Sequence, residues 1–298
     1  MNKPRILFWH RKDLRIFDNQ ALIKAFSLSN AITSTYIFDK NYSHDFNASS
    51  RAWFLGNSLQ ELGNNWKKMG SRLVMEEGDP LLIIPQLAKK IDAKFVFWNR
   101  SIEPYEINRD LQIKKNLKEQ NIQVIETWDH LLVEPLKIFS GNNNPYSVYG
   151  PFYKNLKSKM NLLGSYDQDK VVFQFKDIDN KLKENKTINS SDSVLEKFIK
   201  NIKFPGSNIC PCRPGENAAE TLLENFINEK KIYSYNSARD FPSHNGTSFL
   251  SASLRFGTIS IRKIWNATLN LNSDFANQGN YLSIETWQKE LVWREFYQ

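Results

Sequence analysis

Three side chains close to the end of the sequence have types and a spacing that suit chemistry on a planar ring. Glu290, Trp293 and Arg294 fall at positions i, i+3 and i+4, so on a helix they share one face. The indole offers a surface for stacking, and the carboxyl offers a hydrogen-bonding group beside it. The structural alternative is an amphipathic helix with an aromatic face and a Glu–Arg ion pair.

A second group of residues combines hydroxyls with a glycine directly ahead of a predicted helix. Gly246 is followed by Thr247 and Ser248, and Ser251 comes three residues later. Small hydroxyl side chains allow close approach of a phosphate, and the N-terminus of a helix supplies N–H groups and a positive dipole end. The alternative is ordinary N-capping of the helix by Ser or Thr.

A third group opens the sequence, where residues 9–15 read Trp-His-Arg-Lys-Asp-Leu-Arg and Asp18-Asn19 follow. Two arginines and two aspartates at the end of a first strand predict an ion-pair network. Asp18 or Asn19 can cap the first helix. From the residues alone, this motif is interpreted as structural.

The composition favours a folded protein with a polyanionic partner. Among 298 residues the formal net charge is +8, which suits nucleic acid, and 13% are aromatic, which suits stacking on bases or flavins. No apolar run approaches the roughly 20 residues that span a bilayer, so we expect a cytoplasmic protein without membrane contact. Cys210 and Cys212 flank a proline, the four histidines are scattered, and we predict neither a disulfide nor a metal site.

The first 130 residues alternate short apolar runs with amphipathic stretches. This alternation predicts an α/β domain with a doubly wound, parallel, five-stranded sheet. The predicted strands are 5–10, 31–38, 72–76, 94–98 and 123–126, and the predicted helices are 20–29, 51–69, 80–91 and 105–119. The absence of GxGxxG and GxxxxGK[ST] motifs disfavours a dinucleotide dehydrogenase and a P-loop enzyme.

The second half of the sequence is predicted to be mostly α-helical. Residues 132–201 are largely polar and read as an interdomain linker, with a possible helix at 152–162. Apolar helical spacing resumes at 216–229. We therefore predict a first domain at 1–131, a linker at 132–201, and the first part of an all-α domain at 202–298.

These motifs resemble those of the DNA photolyase and cryptochrome family, in particular its class I cyclobutane pyrimidine dimer photolyases. Family members open with W-x-R-x-D-L-R-x-x-D-N, which residues 9–19 match. Residues 246–257 are similar to G-T-S-x-L-S-P-x-L-x-x-G, although Ala252 stands where many members have proline. Residues 290–297 match E-L-x-W-R-E-F-Y.

The resemblance implies a role for each motif residue. Glu290 would hydrogen-bond the damaged pyrimidines, Trp293 would stack against the flipped-out dimer, and Arg294 would contact FAD. The other FAD contacts implied by the resemblance are Tyr235, Thr247, Ser248, Phe249, Leu250 and Ser251.

The resemblance also implies an antenna chromophore, either an 8-hydroxy-deazaflavin or methenyltetrahydrofolate. Residues 98–105 are similar to the loop that lines the family's antenna cleft. The expected antenna contacts are Asp39, Arg51, Glu103 and Arg255. Each of these charged residues has an alternative as an ordinary surface ion.

The implied activity is that of a deoxyribodipyrimidine photo-lyase, a carbon–carbon lyase that repairs pyrimidine dimers in damaged DNA by electron transfer from reduced FAD. Two alternatives stay open: a cryptochrome-type blue-light photoreceptor, and a non-catalytic fragment that binds antenna pigment. Glu290 and Trp293 favour repair, because many cryptochromes replace the dimer-contacting residues. The family continues through many further helices, so we expect a C-terminally truncated member. A second polypeptide could supply the missing helices, or the activity could be lost.

Overall fold

The first part of the chain is a five-stranded parallel sheet in the order β3-β2-β1-β4-β5. The computed structural model describes residues 3–39, 49–163, 191–202, 212–269, 271 and 278–298. Both faces of the sheet are covered, which explains the continuous apolar runs of the inner strands. The strands are β1 (Ile6–His10), β2 (Ile32–Asp39), β3 (Leu73–Gly78), β4 (Phe95–Asn99) and β5 (Gln123–Thr127).

Helices pack on both faces of this sheet, which confirms the predicted doubly wound α/β architecture. Two helices share one apolar core with one face of the sheet, and two others share a second core with the opposite face. The first pair is α1 (Gln20–Leu28) and α2 (Ser49–Lys68); the second is α3 (Pro80–Lys90) and α4 (Pro104–Glu119).

The start of α1 shows which residue of the opening motif acts as the cap. Asn19 is the N-cap, and its side chain accepts a hydrogen bond from the Leu22 amide at 3.3 Å. Asp18 instead has a positive φ of 48° and pairs with Arg262, far along the chain. The capping prediction is therefore confirmed for Asn19.

The second part of the chain is helical, as predicted, and it has its own apolar core. No helix in the described ranges has the length and hydropathy needed to cross a bilayer. The helices are α5 (Tyr149–Leu163), α6 (Ser191–Lys200), α7 (Glu216–Asn228), α8 (Lys231–Ala238), α9 (Ser251–Phe256), α10 (Ile261–Leu269) and α11 (Gln278–Phe296).

The stretch predicted to be a linker contains two of these helices. Helix α5 covers the possible helix at 152–162, and it places Phe152 and Leu156 in the helical core. Helix α6 packs along β3 and α2 at the edge of the sheet. The domain boundaries at residues 131 and 202 stay a prediction. Cys210 lies outside the described residues.

The ion-pair network predicted for the opening motif forms, but its partners lie outside that motif. Arg15 binds both carboxylate oxygens of Asp129, and Arg262 of α10 binds the same carboxylate at 2.7 Å. Arg11 pairs with Asp110 on α4. The predicted network thus includes Arg11, Arg15 and Asp18 of the motif, but each pairs with a residue from a distant element.

Asp129 is enclosed by the two arginines at the junction between the sheet and the helices. Burial alone would raise its pKa, but Arg15 and Arg262 outweigh that effect and hold the pKa well below the usual value. The carboxylate is therefore charged at neutral pH, and two guanidinium groups neutralise it.

Candidate functional site

Helix α11 carries the three side chains of the last motif, and it anchors them by burying its other face. Trp287, Leu291 and Val292 belong to the helical core. Glu290, Trp293 and Arg294 are less buried and contact three different neighbours. The three side chains therefore lie on a surface formed by three different segments. Among the described residues, no direct contact joins the three side chains to one another.

Glu290 forms an ion pair with Arg239, the residue that follows α8. The guanidinium of Arg239 also lies 5.9 Å from the ring centre of Tyr235 on α8. The Tyr235 ring is buried, and burial together with the charge of Glu290 raises the pKa of its hydroxyl. Tyr235 is thus a neutral hydrogen-bonding group that lies close to the carboxylate of Glu290.

Trp293 stacks face to face on Tyr149 of α5. The two ring centres are 3.7 Å apart and the planes differ by 7°. One face of the indole is therefore already covered inside the protein. A planar ligand that stacks on Trp293 must use the opposite face.

Arg294 extends toward the loop that follows β5. Its Nη1 donates to the carbonyl oxygen of His130 at 2.9 Å, and its Nη2 donates to Nε2 of the same residue. Burial, followed by the charge of Arg294, lowers the pKa of His130 well below its usual value, so the imidazole is neutral and can accept this bond. The expected contact between Arg294 and a cofactor stays a prediction.

The hydroxyl-rich loop, residues 247–251, directly follows Gly246, which packs closely against α8. A Cβ atom added to Gly246 would lie 2.5 Å from the Cβ of Ala238, so only glycine allows this approach. Thr247, Ser248 and Phe249 are half-buried, and Leu250 is buried as the N-cap residue of α9. Phe249 has a φ of 54°, which turns the chain into that helix.

The hydroxyl groups of this loop are open to a ligand. Within the described part of the chain, the hydroxyls of Thr247, Ser248 and Ser251 have no hydrogen-bond partner. Helix α9 is six residues long, so its dipole is small. The three hydroxyls would therefore make most of the interactions with a bound anion. This donor set fits a phosphate or pyrophosphate group.

Helix α8 connects the hydroxyl loop to α11. Its C-terminal Ala238 contacts Gly246, and the following Arg239 pairs with Glu290. On the same side, Thr286 of α11 donates to Asn236 at 3.2 Å. The predicted phosphate loop and the predicted substrate carboxylate thus both contact the C-terminal end of α8, through the neighbouring residues Ala238 and Arg239.

A separate cleft opens at the carboxyl ends of β1 and β4. The strand order reverses between these two strands, and ligands of open α/β sheets bind at such a switch point. The cleft is partly open to solvent, and the space in it, counted together with the solvent at its mouth, is about 560 Å³. It is lined in part by Lys12, Glu103, Trp128 and Arg255.

The structure brings two of the four expected antenna residues together in this cleft. Glu103 accepts from Lys12 at 2.7 Å and from Arg255 at 3.3 Å. Asp39 lies in an adjoining cleft, where Arg109 and Tyr105 each donate to it at 3.2 Å. Arg51 is exposed near the start of α2 and lines neither cleft as described.

Three residues of these sites were not identified from the sequence: Arg239, Tyr149 and His130. Arg239 lies between the expected FAD contacts Tyr235 and Thr247, and that position could have marked it. Tyr149 lies in a short aromatic stretch at residues 146–153 and His130 is one of four scattered histidines, but neither pattern indicates a partner on α11, 144 and 164 residues away.

The comparisons with known proteins agree with this fold. The family model described as DNA photolyase matches residues 6–172. The deoxyribodipyrimidine photo-lyase of Synechococcus sp. is 37% identical over 98% of this chain and 59% of the relative. Cryptochrome-1 of Arabidopsis thaliana is 27% identical over 97% of this chain and 42% of the relative.

A solved structure shows the same arrangement of elements. The crystal structure of a bacterial class III photolyase from Agrobacterium tumefaciens aligns with a TM-score of 0.79 and 28% identity, over 99% of this chain and 58% of that one. The chain therefore spans about three fifths of the length of the photolyases that it matches.

The chain is an α/β protein in which a doubly wound sheet is followed by a helical part. It has a cleft at the switch point of the sheet and a second candidate site on the helices. Since the family model covers more than half of the sequence, the chain belongs to the DNA photolyase family, which includes photolyases and cryptochromes.

Proposed function

We propose that this chain takes part in the light-driven repair of cyclobutane pyrimidine dimers in DNA, as a deoxyribodipyrimidine photo-lyase that uses FAD. One observation carries the proposal: α8 and Arg239 join the hydroxyl loop, on one side, to Glu290 on the other. A cofactor phosphate and a damaged base could thus be held next to each other by one rigid segment.

The substrate side of the proposed site would use Trp293 and Glu290. The face of Trp293 opposite Tyr149 would stack against a base that has left the duplex. Glu290 would hydrogen-bond the edge of that base, while Arg239 balances the charge of the carboxylate. Glu290 is partly exposed, so a ligand can reach it from solution.

The cofactor side would use the loop 247–251 and Tyr235. The three available hydroxyls would hold the phosphates of FAD, and Arg294 would contact the rest of the cofactor from α11. Reduced FAD, when bound, supplies an electron after it absorbs blue light. The protein residues described above would hold and orient the cofactor and the base.

We further propose that the switch-point cleft holds an antenna chromophore. Glu103 and Arg255 would bind its polar groups, and Trp128 offers an aromatic surface in the same cleft. Lys12, Glu103 and Arg255 already form a connected set of charges there. Asp39 would contribute from the adjoining cleft, while Arg51, which lines neither cleft, stays an expectation from the resemblance.

The proposal is tested on the purified chain reconstituted with FAD. The visible spectrum after gel filtration measures bound flavin, and blue light with a dimer-containing oligonucleotide measures repair. We expect flavin to be retained and dimers to be lost in the light. Glu290→Ala should lower repair several-fold and leave the flavin content unchanged, because the carboxyl would contact the base.

Other results would contradict the proposal in different ways. Retained flavin without repair, in wild type under reducing conditions, would favour the photoreceptor alternative. A protein that binds a pigment but no flavin would favour the antenna-binding alternative. Loss of flavin in the Glu290→Ala variant would show that Glu290 contacts the cofactor instead of the base.

A further inference from the structure

We propose that Tyr149 is a positioning residue that fixes the Trp293 indole as a flat platform for a flipped-out base. This inference rests on the proposed function, because it concerns how the same base-stacking surface is held. Nothing in the sequence motifs singled out Tyr149, and its role follows from its contacts with α11.

The geometry of the pair is that of a close aromatic stack. The 3.7 Å between ring centres and the 7° between planes leave no room for another group between Tyr149 and Trp293. Tyr149 lies in the first turn of α5, a helix whose next turns are anchored in the helical core through Phe152 and Leu156. The indole therefore rests against a rigid element.

A hydrogen bond fixes the Tyr149 ring in the plane that Trp293 needs. The phenol donates to the carbonyl oxygen of Lys289 at 2.9 Å. In a helix, the carbonyl of Lys289 is also the acceptor for the amide of Trp293, four residues later. The phenol thus bonds to α11 one turn before the indole, so both this bond and the ring stack hold Tyr149 against α11.

Further aromatic contacts surround the stack. Phe296 packs edge-on against both rings, with centres 5.8 Å from Tyr149 and 5.6 Å from Trp293. The pKa of the Tyr149 hydroxyl is raised by burial and then by Glu290 and Glu285, so the phenol stays protonated and keeps its donated bond. A base that stacks on the face of Trp293 opposite Tyr149 meets a ring already held in place, which lowers the entropic cost of binding.

A second tyrosine beside Trp293 provides a matched control. Tyr297 is also nearly parallel to the indole, with a 21° angle, but its ring centre is 5.5 Å away. Its side chain is 77% exposed, and it lies at the end of the described chain. Tyr297 lacks the close stack that Tyr149 makes, so its removal should not change the orientation of Trp293.

The test compares dark binding of two single-stranded oligonucleotides, identical except for one thymine dimer, by fluorescence anisotropy on the FAD-reconstituted chain. Tyr149→Leu should weaken binding of the damaged oligonucleotide by roughly 3–10-fold, the range expected for loss of one aromatic pair. Binding of the undamaged oligonucleotide should not change. Tyr149→Phe, which keeps the ring, should retain most of the preference, and Tyr297→Leu should retain all of it.

The Trp293→Leu variant distinguishes the positioning role of Tyr149 from the proposed function of the chain. If Tyr149 acts through the indole, adding Tyr149→Leu to Trp293→Leu should cause no further loss, because the interaction energies of coupled residues are not additive. If Trp293→Leu removes the preference for damage and Tyr149→Leu does not, the positioning role is overturned while the proposed function stands. If Trp293→Leu leaves the preference intact, both are overturned.

Discussion

Two buried glutamates join the helical part of the chain to backbone amides of the first part. Glu216 accepts from the amides of Ile16 and Phe17 at 3.0 and 2.9 Å. Glu295 accepts from the amide of Leu132 at 2.9 Å. Burial raises the pKa of each carboxyl to about 7, despite these bonds. The protonation of these two carboxyls, and with it the contact between the two parts of the chain, therefore changes near neutral pH.

The raised pKa values predict how stability depends on pH. In the unfolded chain these carboxyls titrate near the usual glutamate value, while the folded protein keeps its protons up to about pH 7. The free energy of unfolding should therefore fall as pH rises from about 4.5 to 7, and level off above that. Each group contributes up to about 3 kcal/mol, since one pKa unit corresponds to about 1.4 kcal/mol. Urea unfolding across this pH range measures the slope.

The Glu216→Gln variant tests this assignment, because glutamine has no proton to exchange. Its loss of stability between pH 4.5 and 7 should be smaller than that of the wild type, and the double variant with Glu295→Gln should show no such loss, because the lowered pKa of His130 makes stability rise with pH up to about 6.5. Glu224→Gln is the control, since Glu224 is exposed on the same helix as Glu216. A wild-type slope that persists in the double variant would contradict the prediction.

At the scale of elements, the contact between Gly246 and α8 sets the position of the hydroxyl loop. Gly246→Ala would place a methyl group 2.5 Å from the Cβ of Ala238, and 3.2 Å from its backbone atoms. The loop must then move away from α8. We expect a stability loss of about 1–3 kcal/mol from the overpacking and lower retention of FAD after gel filtration.

Gly63→Ala is the matched control for this substitution. Gly63 lies in α2, and a Cβ there would meet only the end of the Met75 side chain, at an ordinary contact distance of 3.7 Å. Alanine is also the better helix former, so this variant should be neutral or slightly stabilising and should retain its flavin. Equal flavin retention in Gly246→Ala and the wild type would show that the loop position does not matter for the cofactor.

The elements themselves were predictable because their signals are local. Apolar runs of five to eight residues and apolar residues at helical spacing located all five strands and the first four helices to within two residues at each end. Arg15, by contrast, is paired with Asp129 and not with its neighbours in the motif. Such partners depend on how distant elements pack, and sequence spacing carries no information about that.

At the scale of the whole molecule, Arg262 is the link between the helical part and the loops after β1 and β5. It binds Asp18 and Asp129, and it is almost fully buried. Arg262→Met should lower the free energy of unfolding by about 3–5 kcal/mol, because the buried carboxylate of Asp129 would lose one of its two guanidinium partners. Urea unfolding at pH 7 measures the loss.

An exposed ion pair of the same chain gives the reference for that loss. Lys94 and Asp92 form a pair with side chains that are 61% and 73% exposed. Lys94→Met should therefore change the free energy of unfolding by less than about 1 kcal/mol. If Arg262→Met and Lys94→Met lower the free energy of unfolding equally, the buried ion pairs of Arg262 would contribute no more stability than an exposed ion pair.

The long sequence separation of this link has a consequence for the synthesis of the protein. Ser260 and Arg262 reach Asp18 across 242 and 244 residues, and Gly257 accepts from Arg15 across 242. At a ribosomal speed of roughly 5–20 residues per second, about 12–50 s pass between the emergence of the first strand and that of its last partners. During this interval the loop after β1 carries charges without their final partners. The ion pairs that join the sheet to the helical part can therefore form only after residue 262 has been synthesised.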